Sequence, residues 1–370
     1  GFFLVDSRIA VIDIIYLTLA ALAYLLMFRF IQLRDSGARR TTLVFIGIVL
    51  GLCLGSKLYV PGETFLLVLG ILIYSLARSE GLGFKPLRIA ADPQIAGAVL
   101  LTGSLATIFY LACFIPHYTL GWWGGIADLF HYYKDVMWYE KSVSTATHPY
   151  ASPWWSWPLM LRPVAYWQNF PPVGEVSTIW GAGNPILWWA VIPAITITAV
   201  RALERPTLVR GFLVIGYLGY FVIWIPITRI LFLYHYMPSV YLGYLALASV
   251  LADFWAGDAE AWETAALLFT LTPATIVGIG HMAFTLKPTW LPEGARELAG
   301  SPFVAILVGG YIATLGNMRR NSRFVCVAFL GTALLVFLYF LPLWLGTPIS
   351  RDGYYARMWL EESNSLRNWI

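Results

Sequence analysis

The sequence predicts an all-α polytopic membrane protein of about ten transmembrane helices, carrying one long amphipathic and aromatic loop on the extracytoplasmic side. Three observations predict it. Hydrophobic residues make up 59% of the chain and charged residues 12%, and mean hydropathy is +0.70, whereas ordinary globular domains are nearer half apolar and a quarter charged. Apolar runs close to the roughly 20 residues that cross a bilayer as a helix recur along the whole chain. Basic residues gather in alternate short loops, as cytoplasmic connections do.

The runs lie near 9–33, 42–58, 63–78, 94–115, 185–202, 208–226, 232–254, 263–285, 303–318 and 323–344. The first begins beside Arg8 and Asp13, whose spacing of five places them on different helix faces. The 42–78 stretch turns at Pro61-Gly62, and each half is long enough to be a helix of its own, which favours a helix pair over a re-entrant hairpin. Pro193, Pro226, Pro238 and Pro273 soften the boundaries of the later runs. The clusters Arg34/Arg39/Arg40, Arg78/Lys85/Arg88, Arg201/Arg205/Arg210 and Arg319/Arg320/Arg323 mark one side as cytoplasmic. The acidic connection Asp253–Glu263 shares that side. Residues 1–8, the loop 116–183 and the C-terminal tail then face the other compartment. The chain reads as three regions: N-terminal-side helices over residues 1–115, incomplete at their start; the loop 116–183; and C-terminal helices over residues 184–370.

The net charge of +4 follows from these loops and implies no nucleic-acid partner. Cys53, Cys113 and Cys326 lie in separate apolar runs without metal-ligand or redox spacing and read as small core residues. Gly1 has no basic segment before it, so the first run is no signal peptide, and an upstream portion is expected.

Within the loop, Ile126, Phe130, Tyr133 and Met137 recur at helical spacing with Asp128, His131, Lys134 and Asp135 on other faces, the pattern of an interfacial helix. Ten of the 17 Trp fall between Trp122 and Trp189. An aromatic belt at the headgroups accounts for many of them. It accounts less well for the compact, proline-stiffened run Trp154-Trp155-Ser156-Trp157-Pro158, which suits a lid over a sugar face or a prenyl chain. Charges at membrane depth are functional candidates because lipid makes them costly. Arg8, Lys57 and Arg229 are the candidate ligands of an anionic headgroup, the arginines through their planar fork and the lysine as a point charge. Asp13, His235 and Tyr236 stand beside them as supporting residues. For each cation taken alone, snorkelling or a structural pair is the competing reading, and their convergence on one membrane face favours the headgroup site.

An ordered set of motifs resembles the protein O-mannosyltransferase family. Ser7-Arg8 with Asp13 resembles its Ser-Arg…Asp helix start, and Gly51–Lys57 its glycine-rich helix ending in Lys. His148–Pro158, Arg162-Pro163, Gly183-Asn184-Pro185 with Trp188-Trp189, and His235-Tyr236-Met237-Pro238 resemble its C-terminal region. Pro342–Ser350, Tyr354 and Arg357–Leu360 continue that likeness to the end of the chain. The resemblance implies a GT-C-like glycosyltransferase that moves mannose from polyprenyl- or dolichyl-phosphate mannose to Ser/Thr of exported proteins, with inversion. Arg8, Lys57 and Arg229 would hold the donor phosphate. His148, Tyr150, Trp154, Trp157 and Arg162 would form the lid or acceptor side, with Asn184 in support. It implies the bilayer, the lipid donor and a protein acceptor as partners, and leaves a translocon or other membrane subunit open. It fixes no cofactor and leaves a divalent cation open. The loop 116–183 has no room for the β-trefoil repeats of eukaryotic members, which points to a bacterial plasma membrane rather than the endoplasmic reticulum. The family's Asp-Glu pair has no counterpart before Arg8, where Asp6 stands alone, so no catalytic residue is assigned. A related transferase with a lipid or glycan acceptor, such as an aminoarabinose-type enzyme, is the runner-up. A non-catalytic subunit or a transporter that kept the fold is the alternative of another class; a transporter should show two related halves, and no such repeat is seen.

Overall fold

A computed structural model describes residues 1–359 apart from 10, 58–59, 84 and 271–321. The chain is an integral, multi-pass, mainly helical membrane protein. Among the described residues, seven helices are long and apolar enough to span a bilayer, and Leu208–Val222 is a shorter apolar helix. They coincide with eight of the ten runs expected from sequence. The run 303–318, and the portion of 263–285 beyond Thr270, lie outside the described residues. The chain divides into two compact units: residues 10–144, and residues 1–9 with 145–370. The division falls inside the loop 116–183.

The unit of residues 10–144 contains α2 (Ile12–Gln32), α3 (Ser36–Ser56), α4 (Val60–Ser79), α5 (Pro86–Ala91), α6 (Pro93–Ala112), α7 (Ile115–Thr119) and α8 (Ile126–Ser142). The short polar connections start the next helix. The Asp35 carboxylate accepts from the Ala38 amide at 2.6 Å, and Asp92 accepts from the Gln94 and Ile95 amides at 3.0 and 2.9 Å, with Pro93 at the first helical position. The expected pair in 42–78 is two separate helices. Gly47, Gly51 and Gly55, four residues apart, form one face of α3, and along it α6 comes close. A Cβ at Gly51 would lie 2.5 Å from the Ala106 carbonyl oxygen, one at Gly55 2.5 Å from Cys113 Sγ, and one at Gly47 2.7 Å from Leu105 Cβ. Helices in lipid lack a hydrophobic drive to associate, and small residues that admit close backbone contact supply the packing instead.

The expected amphipathic helix is α8. The Asp128 carboxylate accepts from the Gly124 and Gly125 amides at 2.7 and 3.0 Å and closes its N-terminus. Its apolar stripe points out of the protein: Ile126, Phe130, Met137 and Trp138 are exposed, whereas Leu129 is buried.

The other unit holds α1 (Phe2–Arg8), the hairpin β1 (Val164–Asn169) and β2 (Ser177–Gly181), α9 (Pro185–Trp189), α10 (Val191–Glu204), α11 (Leu208–Val222), α12 (Met237–Ala256), α13 (Ser322–Leu345) and α14 (Arg351–Tyr355). Residues 261–270 are also helical. The hairpin is an addition to the all-α expectation. Its strands pair antiparallel from Val164↔Gly181 to Asn169↔Ser177, with a bulge between Ala165 and Trp167. Val176 and Ile349 exchange backbone hydrogen bonds of 2.7 and 2.9 Å, so the segment after α13 extends the hairpin. The Arg351 guanidinium donates to the Pro171 carbonyl at its turn. The expected run 185–202 is broken into α9 and α10 at Ala190 because Pro193 has no amide to give and its ring crowds the carbonyl four residues back. At the other end of α10, Arg201 joins the acidic connection: it pairs with Asp253, holds Glu263 through contacts of 2.5 Å and donates to the Asp258 carbonyl at 2.8 Å.

The glycine face gives a direct test. Gly51→Val forces α3 and α6 apart, since the carbonyl of Ala106 cannot swing away without losing its helix. It should destabilise the protein by about 1–3 kcal/mol, read as a lower melting temperature in detergent. Gly62→Ala, where a Cβ meets nothing within 4 Å, should leave it unchanged.

Candidate functional site

The residues singled out from sequence fall into two centres, one in each unit. In the unit of residues 10–144, Lys57 closes the C-terminus of α3 in extended conformation (φ −155°, ψ 154°). Its ammonium is ion-paired with Asp13 in the first turn of α2, which explains a carboxylate that is 3% exposed at membrane depth. Taking two charges out of water costs more than the pair returns unless the geometry is good, so such a pair is a device for placing a charge. The ammonium also borders a cavity of about 460 Å³ lined by Ser56, Pro61, Tyr110, Phe114, Tyr132 and Tyr133. Burial pushes the Tyr133 hydroxyl above its ordinary pKa. The cavity pairs one fixed cation with aromatic walls, a combination suited to an anion carrying a less polar body.

The second centre is the aromatic segment. Trp154–Leu159 is a 3-10 helix that ends at Met160 in the left-handed region (φ 54°). Trp157 is fully buried. Its indole donates to Ser152 Oγ at 3.1 Å, and its carbonyl accepts from Trp188 Nε1 at 2.8 Å. Trp189 Nε1 donates to the Leu159 carbonyl at 2.8 Å. Three indole N–H groups thus brace this short 3-10 helix and the residues beside it. The Trp157 ring stacks on His235 with centroids 6.1 Å apart and planes 12° apart, and Trp224 meets His235 edge-on at 4.5 Å. The Tyr217 and Tyr236 hydroxyls are 2.6 Å apart. Asn184 caps α9, accepting from Ile186 N at 3.0 Å, and donates to the Ala333 carbonyl of α13 at 2.7 Å.

Around this core stand the polar members. His148 is exposed and meets Phe232 edge-on at 5.1 Å. Tyr150 and Arg162 are half-buried; burial raises the Tyr150 pKa, opposed by a hydrogen bond with Gln168 and by nearby Arg162. Arg229 is half-buried, 3.4 Å from the Ile230 carbonyl. Trp154 packs edge-on against Phe221 at 5.2 Å. Arg8 is exposed at the end of α1. The structure therefore joins Lys57 with Asp13, and Trp157 with His235, Tyr236 and the indole of Trp188. Lys57 belongs to one unit, and Arg8 and Arg229 to the other.

Two features carry no assignment at the level of sequence. Tyr110, Tyr132 and Tyr133 line the Lys57 cavity. In sequence Tyr133 is only one apolar member of the α8 stripe; in the structure it is half-buried, while the stripe's other members Ile126, Phe130 and Met137 are exposed. Asp6 is fully buried in α1, and its single carboxylate makes no motif. Among the described residues, no three His, Cys, Asp or Glu side chains gather as a metal site needs.

Comparison with known proteins gives matches over most of the chain. Residues 126–363 match the C-terminal four-transmembrane region of protein-O-mannosyltransferase, and residues 1–121 match dolichyl-phosphate-mannose-protein mannosyltransferase. A polyprenol-phosphate-mannose–protein mannosyltransferase of Mycolicibacterium smegmatis is 25% identical over 56% of this chain and 46% of its own. Dolichyl-phosphate-mannose–protein mannosyltransferase 1 of Saccharomyces cerevisiae is 34% identical over 31% of this chain and 16% of its own. Its Schizosaccharomyces pombe counterpart is 25% identical over 48% and 22%. The chain thus spans at most about half the length of these curated relatives. No solved structure matches it.

The buried indole separates packing from exposure within one motif. Trp157→Phe removes the N–H that satisfies Ser152 and should cost about 1–3 kcal/mol, seen as a fall in melting temperature. Trp155→Phe, at a ring that is 48% exposed, should leave the transition where it is.

Proposed function

The chain belongs to the protein-O-mannosyltransferase family, and on that premise we propose that it serves the transfer of mannose from polyprenyl- or dolichyl-phosphate mannose to Ser/Thr hydroxyls of exported proteins. The observation that carries this reading is the Lys57 ammonium, held by buried Asp13 and bordering an aromatic cavity at the end of a membrane helix. The reaction breaks the bond between the anomeric carbon and the phosphate oxygen, and the departing polyprenyl phosphate gathers negative charge. The acceptor oxygen attacks the opposite face of the sugar, with inversion, and its proton passes to a general base. Pre-placed cations in a low-dielectric site stabilise the departing charge without reorganising at the moment of reaction. Lys57 serves that role, and Arg8 and Arg229 are the further cations that the family resemblance assigns to it. No residue of this chain is assigned as the base.

The aromatic segment serves the acceptor side. Trp157 acts as a positioning residue, locked by its hydrogen bonds, while His148, Tyr150, Trp154 and Arg162 at its rim meet the acceptor or exclude water. His235, Tyr236 and Asn184 hold that rim in place. The exposed stripe of α8 lies in the bilayer interface, and the aromatic segment faces the extracytoplasmic side of a bacterial plasma membrane. The relatives' names specify a protein acceptor, which disfavours the lipid- or glycan-acceptor reading.

Two measurements test this. Replacing Lys57 alone would leave Asp13 buried without its partner, so the informative variant is Asp13→Asn with Lys57→Met. It should bind polyprenyl phosphate mannose about 10- to 150-fold more weakly, the range for losing a charge-assisted contact, with its melting temperature kept. Unchanged affinity would move the phosphate elsewhere. For sidedness, Val173→Cys and Leu203→Cys place a thiol at two highly exposed positions. A membrane-impermeant thiol reagent added to intact cells should label the first and spare the second, and the reverse would put the site on the wrong face.

A further inference from the structure

The walls of the Lys57 cavity carry a feature that packing does not explain. Phe114 sits at the centre of an aromatic box: Tyr110, Trp123, Tyr132 and Tyr133 surround it with ring centroids at 5.4, 5.5, 5.9 and 6.4 Å. Tyr132 and Tyr133 are themselves 5.3 Å apart, edge to face. These contacts fix the rings, and phenylalanine would make them equally well. The hydroxyls are surplus to them. Among the described residues, Tyr110, Tyr132 and Tyr133 make no hydrogen bond through their side chains, although all three line the cavity that Lys57 borders. A buried or half-buried tyrosine hydroxyl ordinarily finds a partner. The half-buried Tyr110 and Tyr133 lack one at a single cavity, beside a fixed cation, and the 41% exposed Tyr132 lines the same cavity.

We infer that Tyr133, with Tyr132 and Tyr110, forms the subsite for the hexose of the lipid-linked donor, their hydroxyls bonding the sugar hydroxyls while Lys57 meets the phosphate. This rests on the reading of Lys57 as a donor-phosphate ligand. The chemistry fits on three counts. A hexosyl phosphate is an anion joined to a ring with an apolar face and a rim of hydroxyls, and the cavity offers one ammonium, aromatic faces and phenolic O–H groups. The volume of about 460 Å³ lies within the roughly 300–1,000 Å³ of small-molecule sites. The box around Phe114 holds the rings before the ligand arrives, so little side-chain freedom remains to be lost on binding. A tyrosine hydroxyl is protonated through the neutral range, burial shifts Tyr133 further in that direction, and the group can donate as well as accept.

The test compares two ligands that differ only in the sugar, a short-chain polyprenyl phosphate mannose and the same polyprenyl phosphate without mannose. Binding of each is measured by calorimetry to the full-length protein in nanodiscs. Tyr133→Phe keeps the ring and the box, and its melting temperature should match the wild type. It should lower affinity for the mannosylated ligand by about 2- to 12-fold, the span of one neutral hydrogen bond, and leave affinity for the bare phosphate unchanged. Tyr132→Phe and Tyr110→Phe should act in the same sense. The inference is overturned if all three variants bind both ligands like the wild type, which makes the tyrosines members of an interfacial belt. Equal losses for both ligands also overturn it, by moving the contact to the phosphate or the prenyl chain. Failure of the underlying reading looks different: the Asp13→Asn, Lys57→Met protein would then bind both ligands as the wild type does, and the sugar subsite would fall with it.

Discussion

The approach of α3 to α6 along Gly47, Gly51 and Gly55 is the contact on which the unit of residues 10–144 depends. It sets how closely two apolar helices run, and thereby where the end of α3 arrives. Gly55 rests against Cys113 at the end of α6, so Ser56 and Lys57 come off the helix level with Tyr110 and Phe114. Any side chain larger than hydrogen at these glycines would push α3 outward and open the cavity at its head. The site is therefore built by backbone packing first and by charge second. Lys57 has only to leave the helix in an extended conformation for its ammonium to find Asp13 on α2.

The other unit solves a harder problem. Its aromatic segment has only the short 3-10 helix Trp154–Leu159 to satisfy its peptides, yet much of it is buried. Indole N–H groups do part of that work: Trp188 and Trp189 donate to the carbonyls of Trp157 and Leu159, and the Ser152 amide donates to the Leu231 carbonyl at 2.9 Å. This explains why so many Trp are concentrated in one stretch. A belt residue needs only its ring at the headgroup level, whereas these rings supply donors at fixed positions inside the fold. The same residues hold His235 against Trp157, which links the motif at 148–158 to the one at 235–238 through direct stacking.

What the sequence makes legible follows the physics of each element. Long apolar runs between basic loops leave few options in a bilayer, so the described helices fall where expected. The break at Ala190 is foreshadowed by Pro193. The hairpin is not legible, because Tyr166, Trp167 and Trp180 read equally well as lid aromatics, and its closing partner Ile349 lies far along the chain. The ion pair of Asp13 with Lys57 is also hidden, since a partner on another helix leaves no local spacing. Arg8 is the nearer cation in sequence. The tyrosines of the cavity are masked by their own amphipathic character, since a period of 3.6 shows that a residue belongs to a stripe and not what the stripe faces.

Asp13 gives the Lys57 cavity a property that a free lysine would lack. A lone ammonium at membrane depth would be unstable in the empty protein and would take any anion that reached it. Paired with a buried carboxylate, it is neutralised at rest, and on the proposed reading an incoming phosphate must share the ammonium with Asp13 rather than claim it outright. That competition weakens the hold on a bare anion such as inorganic phosphate, which brings nothing else to the cavity. A ligand that also fills the aromatic walls recovers the difference through its less polar body. On the proposed function, discrimination then comes from the whole headgroup rather than from charge alone.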